Sequence, residues 1–222
     1  MQAFLALLLF AAPAPLDTAR DLQDRPALEK AVAQAAAAAA KQPNDAAAQY
    51  RLAVADSYLA EVALELRDKG AAARAAEDGI RAAQKAVALK GDVAEHHRIL
   101  GTLCGQVIPA NTFLGIKWGR CALDSINKAI ELDPKSPLAY LGRGVGNYYL
   151  PQQLGGGIDK AIPDFRRAAE LNPKLPEAHL WLGLALRKQN QNPAARSEFQ
   201  KALDLNPKRI WFRQQLEKTP AQ

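Results

Sequence analysis

The sequence predicts an all-α fold, an α-solenoid of about four stacked helical hairpins with a starting helix and a C-terminal capping helix. One observation is composition, because hydrophobic residues make up 49% of the chain while aromatic residues reach only 6%. Alanine supplies much of the hydrophobic share, which favours closely packed helices over sheets. The other observation is repetition, since three stretches align with one another: NKAIELDPKSP from residue 127, RRAAELNPKLP from 166 and QKALDLNPKRI from 200.

Each aligned stretch is the end of a helix that a proline terminates, since proline cannot occupy an interior helical position. The prolines are Pro134, Pro173 and Pro207, so the stops lie 39 and 34 residues apart. This spacing and the residues before each proline resemble the tetratricopeptide repeat, which has a 34-residue period and small, large, small positions in its second helix. Counting back twelve, eight and five residues from each proline gives Ala122, Ile126 and Ala129; Ala161, Phe165 and Ala168; and Ala195, Phe199 and Ala202.

The resemblance implies that residues 26–217 form one domain of stacked hairpins, because a single hairpin cannot bury its apolar stripe. Upstream, Gly91 and Pro43 occupy the same stop position in longer units. The segment IWFRQQLEK predicts a last helix that covers the exposed end of the core. In chain order, the expected elements are a starting helix at about 26–41, hairpins at about 46–89, 92–132, 137–171 and 176–205, and a capping helix at 208–217.

The long early hairpins point to a second resemblance. Together with SINKAIELDPKSPLAYLGR, which precedes an insertion in the third unit, they are similar to the regulator of microtubule dynamics proteins. Exported tetratricopeptide components of substrate-binding transporters also have elongated helices. Neither resemblance supplies a motif whose residues can be carried over to this chain.

The first residues, MQAFLALLLFAAPAP, differ from the rest of the chain. An unbroken apolar run from Phe4 to Ala12 is followed by small residues and proline, which resembles a secretory signal peptide over residues 1–15, although no Lys or Arg precedes the run. Nine residues are too few to span a bilayer, which needs about 20. We therefore expect export to the periplasm or secretion, without a transmembrane span once the signal is removed; a cytoplasmic location is the alternative.

Residues that could carry catalysis or hold a metal form no recognised pattern. The adjacent His96 and His97 lack the i, i+4 spacing of a helical metal site, and the sequence contains no HExxH or GxSxG. The net charge of +6 is spread along the chain among acidic residues, whereas nucleic-acid binding favours a concentrated basic patch. We therefore predict no enzymatic activity, no cofactor or metal, and no nucleic-acid partner.

Three consecutive glycines, Gly155 to Gly157, separate the two helices of the third hairpin. The sequence leaves three interpretations open: an enlarged turn, an anion site at the start of the following helix, or a loop that contacts a ligand through Tyr148, Tyr149 and Leu150. The turn is favoured, because a phosphate loop needs a preceding strand and a Gly-Lys-Ser or Gly-Lys-Thr ending, and GGGIDKA has neither.

The chain has two cysteines, Cys104 and Cys121, on the first and second helices of the second hairpin. They lie at similar distances from the intervening turn, so an antiparallel hairpin can bring them face to face. In an oxidising compartment a disulfide would connect the two helices. In the cytosol both would be small buried hydrophobic residues.

Stacked hairpins curve, and their first helices line the inner surface that such solenoids use for binding. Placing every unit in the same register puts aromatic and basic side chains there, a composition common at interaction hot spots. We expect a non-catalytic adaptor or scaffold that binds a protein or peptide, including one with an acidic segment. The alternative is a small-molecule or lipid carrier, whose pocket the long helices enclose and the loop at 147–157 closes. The predicted partner contacts are Tyr50, Tyr58, Arg98, Tyr148, Tyr149, Trp181, Arg187 and Lys188.

Overall fold

The computed structural model describes residues 15–110 and 113–221, and within these ranges the chain forms eleven α-helices and no strand. Most of the predicted signal peptide, residues 1–14, lies outside the described residues. None of the described helices is both long and apolar enough to cross a membrane. The helices are α1 (Leu16–Asp21), α2 (Arg25–Lys41), α3 (Ala46–Glu65), α4 (Lys69–Leu89), α5 (Ala94–Val107), α6 (Leu114–Leu132), α7 (Pro137–Tyr149), α8 (Ile158–Leu171), α9 (Pro176–Lys188), α10 (Asn192–Leu205) and α11 (Ile210–Glu217).

The helices pack as consecutive antiparallel hairpins, which confirms the predicted all-α solenoid. The four hairpins are α3 with α4, α5 with α6, α7 with α8, and α9 with α10. The starting helix α2 packs on α3, and the cap α11 packs on α10. One helix was not expected from the sequence: the short α1 precedes the starting helix and contacts both α2 and α3.

The helix ends follow from local chemistry. The side chains of Asp24, Asp45, Asp68 and Ser136 accept hydrogen bonds from backbone N–H groups in the first turns of α2, α3, α4 and α7, which satisfies donors that a helix leaves unpaired. The helices α6, α8 and α10 each end before an Asp or Asn that has a φ of about −140°. A proline follows each of these residues, and proline disfavours helical geometry in the residue before it.

The close approach of paired helices depends on small residues opposite large ones. Phe165 and Phe199 are fully buried and lie against Gly144 and Gly183 of the facing helices. A Cβ atom added at Gly144 would lie 2.5 Å from the Phe165 ring, and one at Gly183 would lie 2.6 Å from the Phe199 ring. Each glycine therefore provides the space that an aromatic ring fills.

The connection between α7 and α8 is an enlarged turn. Gly155 and Gly157 have φ values of 87° and 108°, which glycine adopts readily. The Gly156 N–H donates to the Pro151 carbonyl (3.1 Å), and the Gly157 N–H donates to the Asn147 carbonyl (2.9 Å). Both N–H groups are therefore used within the turn, which agrees with the interpretation of the glycines as an enlarged turn.

We predict that Gly144→Ala destabilises the protein, while Gly146→Ala in the same helix does not. The first change places a methyl group against the buried Phe165 ring and should lower the free energy of unfolding by about 1–3 kcal/mol. At Gly146, apart from the nearby backbone of its own helix, no described atom lies within 4 Å of an added Cβ, so the lower backbone entropy of alanine should leave stability unchanged or higher by up to about 1 kcal/mol. Urea unfolding followed by circular dichroism measures both, and equal effects would contradict the packing argument.

Candidate partner-binding surface

The structure distributes the predicted contact residues over several clusters rather than one continuous wall. Tyr50 and Arg98 belong to the first. The Tyr50 hydroxyl donates to Glu95 Oε2 (3.2 Å), Arg98 Nε donates to the same oxygen (2.7 Å), and the Tyr50 ring lies 5.4 Å from the His96 ring. Burial raises the pKa of Tyr50. The Arg98 side chain is only 14% exposed, so its charge is already paired with Glu95 inside the chain.

Tyr58 lies against the chain's own N-terminal helix. Its hydroxyl donates to Asp17 Oδ1 (3.0 Å), and the Arg20 guanidinium lies 4.7 Å from the centre of its ring. Both partners belong to α1, which the sequence did not predict. This part of the inner surface is therefore covered by residues of the same chain.

Tyr148, Tyr149, Trp181 and Lys188 form a cluster that we call the aromatic surface. Trp181 is its centre, with ring centroids 5.6 Å from Tyr148 and 5.9 Å from Tyr149, in edge-to-face geometry. The Lys188 Nζ lies 4.5 Å from the centre of the Tyr148 ring and donates to the Tyr148 carbonyl (3.3 Å). Tyr149 is 64% exposed, so the cluster presents aromatic area to solvent.

Buried aromatic rings support the aromatic surface from below. The Phe165 ring stacks on Trp181 at 6.1 Å, and Trp211 of the cap lies 6.0 Å from Trp181. Phe165 is also the ring that Gly144 accommodates. The close packing of α7 and α8 thereby fixes the position of Trp181, and a rigid aromatic platform loses little side-chain entropy when it binds.

Arg187 is held by the C-terminal cap. Its guanidinium donates to Gln215 Oε1 (2.9 Å) and to Thr219 Oγ1 (3.1 Å), and both acceptors are buried. It also lies 5.6 Å from the centre of the Phe199 ring. Its donors therefore fasten α11 to α9, a structural role that its sequence position did not indicate.

A buried group of charges connects the two ends of the solenoid. Arg209, which precedes α11, is 1% exposed. Its Nη1 donates to the Arg20 carbonyl (2.7 Å), its Nη2 donates to Glu61 Oε1 (2.9 Å), and it also bonds with Glu65. Arg20 in turn pairs with Glu177 at the start of α9 (3.1 Å). We call these residues, together with Asp21, the ionic closure.

The ionic closure contains four carboxyl groups and two guanidinium groups, so its charges do not balance. Burial raises the pKa of Glu65, the neighbouring Glu61 raises it further, and Arg209 opposes both effects. Burial likewise raises the pKa of Glu177, against the effect of Arg20. Neutral donors supply part of the missing compensation, since Gln23 Nε2 donates to Glu65 (2.8 Å) and Asn206 Nδ2 donates to Asp21 (2.8 Å).

Sequence reasoning did not identify the ionic closure. Arg209 lies 144 and 148 positions from Glu65 and Glu61 in the chain, and the repeat register describes contacts between neighbouring units only. The one available signal was the pair of acidic residues Glu61 and Glu65, which lie one turn apart on a single helical face. Nothing in the sequence indicated that Arg209 would meet them.

Cys104 and Cys121 form a disulfide in this structure, with their Cα atoms 6.0 Å apart. It connects α5 with α6, the two helices of the second hairpin, and Cys104 is fully buried. The bond adds a covalent constraint between these two helices. Within the described residues, no group of three or more His, Cys, Asp or Glu side chains is arranged to hold a metal ion.

Comparison with known proteins agrees with this geometry. Residues 155–210, which contain α8 to α10, match the tetratricopeptide repeat family. A thermophilic tetratricopeptide repeat protein of Thermus thermophilus has a similar structure, with a TM-score of 0.64 and 20% identity over 90% of this chain and 97% of its own. The HusA haemophore of Porphyromonas gingivalis is also similar, with a TM-score of 0.61 and 20% identity over 80% of this chain and 96% of its own. No curated protein gives a significant match. At this identity the structural likeness concerns the fold alone.

We predict that Arg209→Leu lowers the free energy of unfolding by about 3–5 kcal/mol, because it leaves the buried carboxylate of Glu65 and the partly exposed carboxylate of Glu61 without their cation. The matched control is Arg213→Leu in α11. Arg213 is exposed and, among the described residues, donates to the Pro207 carbonyl alone, so its loss should change stability by no more than about 0.5 kcal/mol. Urea unfolding of both variants is the measurement. A small effect at Arg209 would show that the ends of the solenoid do not depend on this contact.

We also predict that replacing both Cys104 and Cys121 by serine destabilises the protein by about 3 kcal/mol, since the disulfide joins residues 17 positions apart. Reduction of the wild type with dithiothreitol should give a loss of similar size and should have no effect on the double variant. Thermal unfolding with and without the reductant tests this. Equal melting temperatures for the oxidised wild type and the double variant would contradict it.

Proposed function

Since residues 155–210 match the tetratricopeptide repeat family and the helices stack as hairpins, we propose that the protein is a non-catalytic adaptor that binds a protein or peptide partner at the aromatic surface. Tetratricopeptide solenoids use the surface lined by their first helices for binding. Tyr148, Tyr149, Trp181 and Lys188 belong to two such helices, α7 and α9. The observation that carries the proposal is the exposure of Tyr149 on a platform of packed aromatic rings.

The other predicted contacts support this choice by elimination. Tyr58 is covered by α1, Arg98 is paired with Glu95, and Arg187 is bound by the cap. A partner that used those side chains would first have to break contacts within the chain. The aromatic surface needs less rearrangement, because Tyr149 and Lys188 are both exposed. The Lys188 ammonium donates to the Tyr148 carbonyl and has three N–H donors in all.

The chemistry of the aromatic surface suggests the partner class. Aromatic and basic residues dominate interaction hot spots, and Tyr and Trp offer large contact areas at low entropic cost. An aliphatic or aromatic side chain of the partner would pack on Tyr149 and Trp181, and an acidic residue next to it would pair with Lys188. The acidic segment expected from the sequence is therefore narrowed to a single acidic residue beside a hydrophobic side chain of the partner.

The carrier alternative lacks a specific supporting observation. It required a pocket that the loop at 147–157 closes, whereas two described grooves, of about 300 and 380 Å³, are lined by residues of the first four helices and are open to solvent. The similarity to a haemophore concerns the fold and carries no argument about haem. The adaptor is therefore the better supported function.

We further propose that the protein works in an oxidising compartment after export. The apolar segment at residues 4–12 and the pairing of Cys104 with Cys121 support this, because structural disulfides are rare in the cytosol. Fractionation of the native host and mass measurement of the mature N-terminus would test it. A full-length protein in the cytosolic fraction would contradict it.

The adaptor proposal predicts that Tyr149→Ser weakens peptide binding at least tenfold without affecting stability, because Tyr149 is mostly exposed. Peptides are selected from a displayed library of random 12-residue sequences, synthesised with a fluorescent label and titrated by anisotropy. Lys188→Glu should weaken the acidic peptides selectively. The matched control, Leu89→Ser, removes an exposed apolar side chain from α4 and should bind like the wild type. Peptides that bind all four proteins equally would refute the proposed surface.

A further inference from the structure

Asp56 in the first hairpin has little exposed area, and no hydrogen bond to its carboxyl group is found among the described residues. Asp56, in the middle of α3, is 2% exposed. Within the described residues, the influences on its charge are its burial and the charges of Asp78 and Arg81, and no hydrogen bond contributes. Carboxylates this buried normally accept several hydrogen bonds, because an unpaired charge in an apolar environment is costly. The position therefore needs an explanation.

The repeat register shows how unusual this residue is. Counting three positions from Ala53, Gly101, Gly144 and Gly183 gives Asp56 and, in the later units, Cys104, Asn147 and Leu186. Each of the later residues has a bonding partner or surroundings that suit its side chain. Cys104 forms the disulfide, Asn147 donates to Asp164 Oδ2 (3.3 Å), and Leu186 is buried among apolar residues. Only the first hairpin places an acid at this site, so stacking does not require one.

Asp56 lines an open groove of about 380 Å³ between α2, α3 and α4. The groove exists because α2 is a run of alanines, QAAAAAA, whose short side chains do not fill the space beside α3. Val32 and Ala36 of α2 form one wall, and Leu52 and Ala82 contribute further apolar area. A volume of this size suits a small molecule.

The four charged side chains that line the groove, Asp56, Asp78, Arg81 and Lys85, balance in number, so the preference for a cation comes from Asp56 at its floor. Burial raises the pKa of Asp56 to about 7, Asp78 raises it further, and Arg81 lowers it. Arg81 pairs with Asp78 at the exposed rim, where Lys85 also lies. An anion would meet the Asp56 carboxylate at the floor. A hard metal ion would need more oxygen ligands than two carboxyl groups supply, whereas an ammonium group brings up to three donors to the unused lone pairs of Asp56.

We propose that this groove binds an organic ammonium ion, whose NH₃⁺ group donates hydrogen bonds to Asp56 while a short unbranched hydrocarbon chain lies along Val32, Ala36 and Leu52. The site is formed by α2, α3 and α4, whereas the aromatic surface is formed by α7 and α9. Binding here is therefore independent of the adaptor proposal, and either can fail without affecting the other.

The test uses n-hexylammonium chloride as the probe and isothermal titration calorimetry as the readout. The uncharged 1-hexanol has the same hydrocarbon chain and should bind at least tenfold more weakly at pH 8. Asp56→Asn should weaken hexylammonium binding at least tenfold and leave hexanol binding unchanged. Asp92→Asn is the control, because Asp92 is exposed and lies outside the groove.

The pH dependence gives a second readout. Asp56 binds the cation as a carboxylate, and its pKa of about 7 means that acid protonates it, while an alkylammonium with a pKa of about 10 stays charged. Affinity should therefore increase as the pH rises from 5.5 to 8.5, and binding near pH 6 should release protons in buffers of different ionisation enthalpy. Asp56→Asn should remove both effects.

A second arm distinguishes two sources of the ammonium group. Nα-acetyl-lysine methylamide carries it on a protein backbone. If it binds more tightly than hexylammonium, a lysine of a partner protein occupies the groove, and if it binds more weakly, a free amine does. Equal binding of hexylammonium and hexanol, equal binding by wild type and Asp56→Asn, or no binding by the wild type at pH 8 would each overturn the proposal.

Discussion

The fold depends on the close approach of the two helices in each hairpin, which requires a residue without a side chain at the contact. Gly144 faces Phe165, Gly183 faces Phe199, and Gly101 faces Ile126 in the same way. The first hairpin reverses this arrangement, because its glycine, Gly79, lies on the second helix and faces Asp56 and Leu103 of α5. The Phe165 ring, which fills one of the later contacts, stacks on Trp181, while the first contact holds an acid. The same requirement for a glycine at the helix contact therefore accompanies the aromatic surface in the later units and the groove with Asp56 in the first.

The ionic closure determines how much of the inner surface is left for a partner. An open solenoid would expose the first helices along its whole length, but α1 lies against Tyr58 and joins α3 to the beginnings of α9 and α11 through Arg20 and Arg209. Buried charges of this kind contribute little net stability when paired, but they are costly to separate. The closure therefore favours one arrangement of the two ends, and it leaves the second half of the solenoid, with Tyr149 and Trp181, as the accessible part.

The sequence predicted the helices and the packing of neighbouring units. It did not predict the contacts between units that are distant in the chain. Proline stops and small residues identify the helices of the last two hairpins almost to the residue, because these signals act within one turn or one hairpin. The short α1 has only six residues and weak helix signals, and its position is stabilised by Arg209, which is remote in sequence. The register also placed Arg98 and Arg187 correctly on first helices, but it contains no information about the Glu95 and Gln215 side chains that bind them.

Asp56 and Glu65 lie on the same helix and are both buried, and burial raises the pKa of each. Their surroundings nevertheless differ in whether the fold supplies hydrogen-bond donors to the carboxyl group. Glu65 accepts hydrogen bonds from Gln23 and Arg209, so the fold itself supplies the partners that its charge requires. Asp56 accepts no hydrogen bond from the described part of the chain and lines an open groove. Later units have asparagine or leucine at the same position of the repeat, and these side chains find suitable surroundings within the fold. Burial of the Asp56 carboxylate without a partner from the described chain is costly, and a ligand that supplies the missing donors would offset that cost.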